Sequence, residues 1–109
     1  VDLWYAWNPS RPDAPFARII EDLLELVSRG QQEAVNAMVL MMQDLYQNGR
    51  NSRYLFALKG LPVWELKIAS RGGVKGGARV YLFLTPHNQA VLVNCEVKSG
   101  NEADETKLE

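Results

Sequence analysis

The chain has one cysteine, Cys95, so an internal disulfide is excluded. A lone thiol fits a reducing compartment, where disulfides rarely persist, and a cytoplasmic protein is expected. There is also one histidine, His87. One Cys and one His leave a structural zinc site short of its usual ligands, so neither a metal nor a cofactor is expected. No stretch approaches the ~18 consecutive apolar residues that span a bilayer. The opening Val1-Asp2-Leu3-Trp4 lacks the basic and apolar regions of a secretory signal. No membrane partner is therefore expected. Ser/His/Asp, Cys/His and paired-acid constellations are missing as well, which leaves little support for a small-molecule enzyme. The run Gly72-Gly73-Val74-Lys75-Gly76-Gly77 looks like a phosphate cradle. It lacks the Gly-Lys-Ser/Thr of a nucleotide-binding loop, and no helix is expected after it.

What is present suits one globular domain, residues 1–109, with a single core. Net charge is −1, but it is unevenly spread. Residues 59–98 carry Lys59, Lys67, Arg71, Lys75, Arg79 and Lys98 against Glu65 and Glu96, a net of +4; the last eleven residues are acidic. Segregated charge of this kind is either chance in a short chain or a basic surface for a polyanion.

The hydrophobic period divides the chain in two. Residues 2–7 are aromatic-rich and predict a strand. Pro9 and Pro12 break it, and Asp13 with Pro15 is read as the start of a helix. Its apolar stripe is Phe16, Ile19, Ile20, Leu23, Leu24 and Val27, and Gly30 stops it. A second helix is predicted from about Gln32 to Asn48, striped by Val35, Met38, Val39, Met42, Leu45 and Tyr46 and ended by Gly49. The Met38/Met41/Met42 cluster is read as core packing, where methionine fills irregular gaps. The short link predicts an antiparallel helical hairpin.

Beyond residue 53 the period is two. Strands are expected at 54–58, 63–69, 78–85 and 90–98, with a tight turn at Thr85–Gln89. The expected fold is therefore α+β: an N-terminal strand, a helical hairpin and a mainly antiparallel sheet of about four strands packed on the helices. Alternation places Trp64, Leu66, Ile68, Val80, Leu82, Leu84, Val91, Val93, Cys95 and Val97 against the helices. The other face collects Glu65, Lys67, Arg79, Tyr81, Phe83, Leu92, Asn94, Glu96 and Lys98. Such a face is either a plain water-facing side of a sheet or a site for RNA.

Metal-free RNA cleavage needs a base for the 2′-hydroxyl, positive charge for the phosphorane and an acid for the leaving 5′-oxygen. Arg79 suits the charge role, because its planar fork grips two phosphate oxygens. Lys67 or Lys98 suits the acid or base role, and Tyr81 stacking on a base or positioning the phosphate. Glu65 or Glu96 is a base or an orienting partner for arginine. The stretch carrying Arg71 and Lys75 is either simply a mobile loop or a hairpin tip reaching for RNA backbone. His87 reads as a surface turn residue.

The segments Leu58–Lys67 (LKGLPVWELK), Gly77–Phe83 (GARVYLF) and Val91–Lys98 (VLVNCEVK) together resemble, in order and spacing, three successive strands of the HigB-like branch of the RelE toxin superfamily. The helical hairpin before them is similar too, so the resemblance covers nearly the whole chain. It implies a type II toxin that cuts mRNA in the ribosomal A site without a metal, and a cognate antitoxin partner, expected to be a helix-turn-helix protein. Lys59, Arg79 and Lys98 fall on basic positions of the family pattern. Lys67 stands where arginine is usual, and Asn94 and Glu96 stand near where histidine and glycine are common. A non-catalytic binding module of the same fold is the alternative. Residues 99–109 resemble the start of the family's terminal helix, or an acidic tail.

Overall fold

Short, alternating apolar segments and two helical stripes assemble into one α-layer and one β-layer. The structure is a computed structural model and describes residues 1–68 and 77–98. Strand β1 (Asp2–Tyr5) is followed by helices α1 (Arg18–Ser28) and α2 (Gln32–Asn48), then strands β2 (Leu55–Ala57), β3 (Trp64–Leu66), β4 (Ala78–Leu84) and β5 (Gln89–Val97). The sheet order is β1-β5-β4-β3-β2. Neighbours β2 to β5 pair antiparallel. β1 joins β5 in parallel, Asp2 beside Gln89 and Tyr5 beside Leu92. The α+β class is as expected, but the sheet is mixed and has five strands rather than four, because the N-terminal strand closes its free edge on β5.

The helix α2 occupies the predicted range, bounded by Gly30 (φ 79°) and Gly49 (φ 56°) in the left-handed region that glycine enters without strain. α1 begins later than predicted, at Arg18. Asp13 does not cap it; residues 8–16 instead form successive turns, with Arg11 N–H donating to the Asn8 carbonyl and Ala14 N–H to that of Arg11. Pro9, Pro12 and Pro15 supply no donor to a helical ladder, so the turns win over the cap. The three-residue link Arg29–Gln31 returns α2 against α1, and the pair covers β3, β4 and β5.

The core lies between the layers. Ile19, Ala34, Ala37, Met38, Met41 and Leu45 from the helices meet Leu66, Ala78, Val80, Leu82, Ala90, Leu92 and Cys95 from the sheet. Met38 and Met41 are fully buried, in agreement with the packing reading of the methionines. Several stripe residues are not core: Phe16, Leu24, Val27, Val39 and Tyr46 are exposed. One register shift explains the main error in the sheet. Tyr81 pairs with Asn94, but Leu82 pairs with Leu92, so Val93 is an extra residue in β5. A bulge reverses side-chain parity beyond it. Cys95 and Val97 face the helices as predicted, whereas Leu92 and Ala90 replace Val93 and Val91 there.

The end of the β4–β5 pair is closed by Lys98 N–H donating to the Gly77 carbonyl at 2.8 Å. A Cβ on Gly77 would collide with the Lys98 backbone carbonyl. Gly77→Ala is therefore expected to destabilise the protein by about 1–3 kcal/mol, the usual range for overpacking, read as a lowered urea midpoint. An unchanged midpoint would show that the two strands are not held this closely.

Candidate functional site

The face of the sheet turned away from the helices gathers most of the residues singled out by alternation. Register places Phe56, Glu65, Tyr81 and Asn94 in one row across four strands, and Arg79 beside Glu96 in the next. Glu65 is the centre. Its Oε1 lies 3.3 Å from Lys67 Nζ and its Oε2 3.8 Å from Arg79 Nε. The Lys67 ammonium also lies 4.9 Å from the centre of the Phe56 ring, within cation–π range. Arg79 Nη1 donates to the carbonyl of Ala78 at 3.1 Å, which holds the guanidinium close to the sheet.

The predicted water-facing face is more enclosed than alternation implies. Glu65, Tyr81 and Glu96 are each about 95% buried. The Arg79 side chain keeps 16% of its surface and that of Lys67 33%. Burying two carboxylates is costly unless cations accompany them. Lys67 and Arg79 meet that requirement for Glu65. The Tyr81 phenol is held well above its ordinary range, first by burial and then by the nearby Glu96 and Glu65, with Arg79 opposing. Tyr81 therefore stays protonated at neutral pH.

The other predicted residues are spread along the sheet. Lys98 continues β5 one alternation beyond Glu96, on the same face, at the Gly77 end. Lys59 is exposed in the β2–β3 turn, where Leu58 N–H donates to the Val63 carbonyl. At ~3.3 Å per residue it is held roughly 13 Å or more along β3 from Lys67, so it does not join the cluster. His87 is exposed in the β4–β5 turn. Arg71 and Lys75 lie outside the described residues, as do positions 99–109. Phe56 was missed by the sequence reading; an aromatic at the centre of a three-residue edge strand gives no sign that a lysine two positions beyond its cross-strand partner Glu65 will lie over it.

Clefts among the described residues lie elsewhere. One of about 290 Å³ runs along α2 beside Leu40 and Ile68. Another, of about 150 Å³, lies between the end of α1 and β5. Neither opens on Lys67 or Arg79, and both are smaller than the ~300–1,000 Å³ of typical small-molecule sites. Among the described residues, no group of three or more His, Cys, Asp or Glu side chains is arranged to hold a metal ion. No helix among them is long and apolar enough to cross a membrane. No protein-family model and no curated protein matches the chain.

Cys95 sits behind this face, in the core. Its backbone N–H donates to Asp22 Oδ2 at 3.3 Å, beyond the point where β1 ends and leaves the β5 edge uncovered. Burial, with Asp22 and Glu96 adding to it, pushes the thiol from 9.0 up to about 12. A thiol raised in this way is inert, because the thiolate is the reactive form. Reaction with an aromatic disulfide at pH 8 is therefore expected to be slow in the native protein and fast in urea. The linkage has a definite sign. The folded thiol holds its proton above the unfolded value, so its contribution to stability is complete below pH 9 and is lost as pH rises towards 12. Rapid native labelling at pH 8 would contradict the buried placement.

Proposed function

We propose that this chain is a RelE/HigB-like toxin: a metal-independent endoribonuclease that cuts mRNA on the ribosome, in the cytoplasm, and is neutralised by a helix-turn-helix antitoxin. The observation that carries the reading is the convergence of Lys67 and Arg79 on Glu65, on the sheet face opposite the helices. The same face holds Tyr81 and, by alternation, Lys98. A scissile phosphate bound there meets a guanidinium for the phosphorane charge, one lysine as an ammonium to protonate the leaving 5′-oxygen, the other as a free amine to take the 2′-hydroxyl proton, and a neutral phenol to orient it. Glu65 fixes both cations before substrate arrives, which removes the reorganisation that mobile lysine and arginine side chains require. The resemblance of three consecutive strand segments to the toxin family supports the same conclusion.

A second reading is a non-catalytic RNA- or protein-binding module of this fold. The buried carboxylates favour it: Glu65 and Glu96 offset Lys67 and Arg79, leaving Lys98 as the excess charge of the cluster. Expression of the chain alone, followed by primer extension on cellular mRNA, separates the two. Growth arrest with new 5′ ends inside open reading frames is the nuclease result. Intact mRNA recovered from translating ribosomes that retain the protein is the binding-module result.

A further inference from the structure

The two edges of the sheet are unlike. The β2 edge is three residues long and is flanked by the exposed cations Arg53 and Lys59. Such charges discourage edge-to-edge pairing. The β1 edge has no comparable guard. From Val1 to Trp7 the only charged side chain is Asp2, and Trp4, Tyr5 and Trp7 are 55%, 50% and 46% exposed. Phe16, 49% exposed, is brought to the end of the same strand by the hydrogen bond from Arg18 N–H to the Ala6 carbonyl.

The backbone of this edge has a specific polarity. Asp2 N–H donates to the Asn88 carbonyl and Ala6 N–H to that of Leu92. In a parallel ladder alternate residues turn both their N–H and C=O to the same neighbour. Asp2, Trp4 and Ala6 therefore face β5, and the N–H and C=O groups of Leu3 and Tyr5 point outward, away from the sheet.

We propose that β1 pairs with β1 of a second copy of this chain, antiparallel, about a two-fold axis through Trp4. That register sets Leu3 of each copy opposite Tyr5 of the other. Both of those pairs are of the hydrogen-bonded kind, so all four outward groups per copy are satisfied by four inter-strand bonds. Trp4 meets Trp4 of the second copy in the closer, non-hydrogen-bonded position, where aromatic pairs contribute most. Trp7 comes opposite Val1, apolar on apolar. Asp2 comes opposite Ala6, well away from Asp2 of the second copy, so no like charges face each other. An isologous contact of this type closes at two copies and leaves the β2 edges outermost. Four half-exposed aromatic side chains at ~150–250 Å² each bring on the order of 400 Å² per copy to the contact. A standard stable interface takes about 800 Å² from each side. The pairing is therefore reversible and rises with concentration.

Light scattering on a sizing column over a concentration series tests this. The expected mass climbs from 12.3 kDa towards twice that value. Tyr5→Pro removes an outward N–H without touching the β1–β5 ladder, a tolerated place for proline on an edge. Trp4→Lys puts a charge on the two-fold axis. Each is expected to return the protein to monomer, with far-UV circular dichroism and urea midpoint close to those of the parent. A monomer at every concentration overturns the proposal, and so does a dimer that survives both substitutions. None of these readouts depends on RNA cleavage, so the dimer and the nuclease reading stand or fall separately.

Discussion

Arg79→Ala is expected to lower RNA cleavage by about 10²–10³-fold, the usual effect of removing one preorganised donor from a developing oxyanion. In cells the same change relieves growth arrest. Arg79 lies on the central strand of the cluster, with its guanidinium 3.8 Å from Glu65. It is the planar, permanently charged group of the set, so it can span two phosphate oxygens where lysine cannot. Arg79→Lys separates fork from charge: it keeps the ion pair with Glu65 and is expected to recover only a minor part of the activity. Loss of Arg79 also leaves the buried Glu65 with Lys67 as its remaining partner in the pairs described above, so some stability is lost too. Cleavage must therefore be measured well below the urea midpoint of the variant. Wild-type cleavage by folded Arg79→Ala would remove this residue from the chemistry, and with it the main support for the nuclease reading.

Leu92→Ala is expected to cost about 2–5 kcal/mol, whereas Val93→Ala is expected to cost less than about 1 kcal/mol. Leu92 is fully buried among the helices and β4. Its truncation removes transfer free energy and leaves a cavity that the surrounding core fills only in part. Val93 is the extra residue of the bulge and is half-buried outside the core cluster. Strict alternation along β5 predicts the reverse order of costs. Urea denaturation of the two single variants decides between the two registers. A larger loss for Val93→Ala would mean that the strand runs without the bulge and that Val93 and the residues before it are assigned to the wrong faces.

The bulge marks where the sequence stops being legible. Nothing in Val91-Leu92-Val93-Asn94 distinguishes a regular strand from one with an inserted residue, because all of the first three are good core residues. β4 was read correctly over its whole length, since Arg79 and Tyr81 alternate with Val80 and Leu82. α2 was legible for a different reason: glycines stand at both of its ends. α1 was misread at its start because Asp13 and Pro15 resemble a cap and first turn, while the prolines around them favour turns. The parallel place of β1 depends on a contact with β5 that no local pattern records. As for the site, alternation brought Lys67, Arg79 and Tyr81 to one face. It could not show that Glu65 and Glu96 are buried there, because it sorts polar residues outward and is blind to what long neighbouring side chains enclose.

Because Asp2 is hydrogen-bonded beside Gln89, the opening strand has no strand partner until almost all of the described chain has been synthesised. Its Trp4 and Tyr5 emerge from the ribosome long before their docking strand does, and local helix formation by α1 and α2 precedes their docking. Closing so long a loop is slow compared with winding a helix. The sheet is thus completed by a late, long-range step, and a nascent chain stalled before β5 carries an unsheltered aromatic segment that a chaperone can hold.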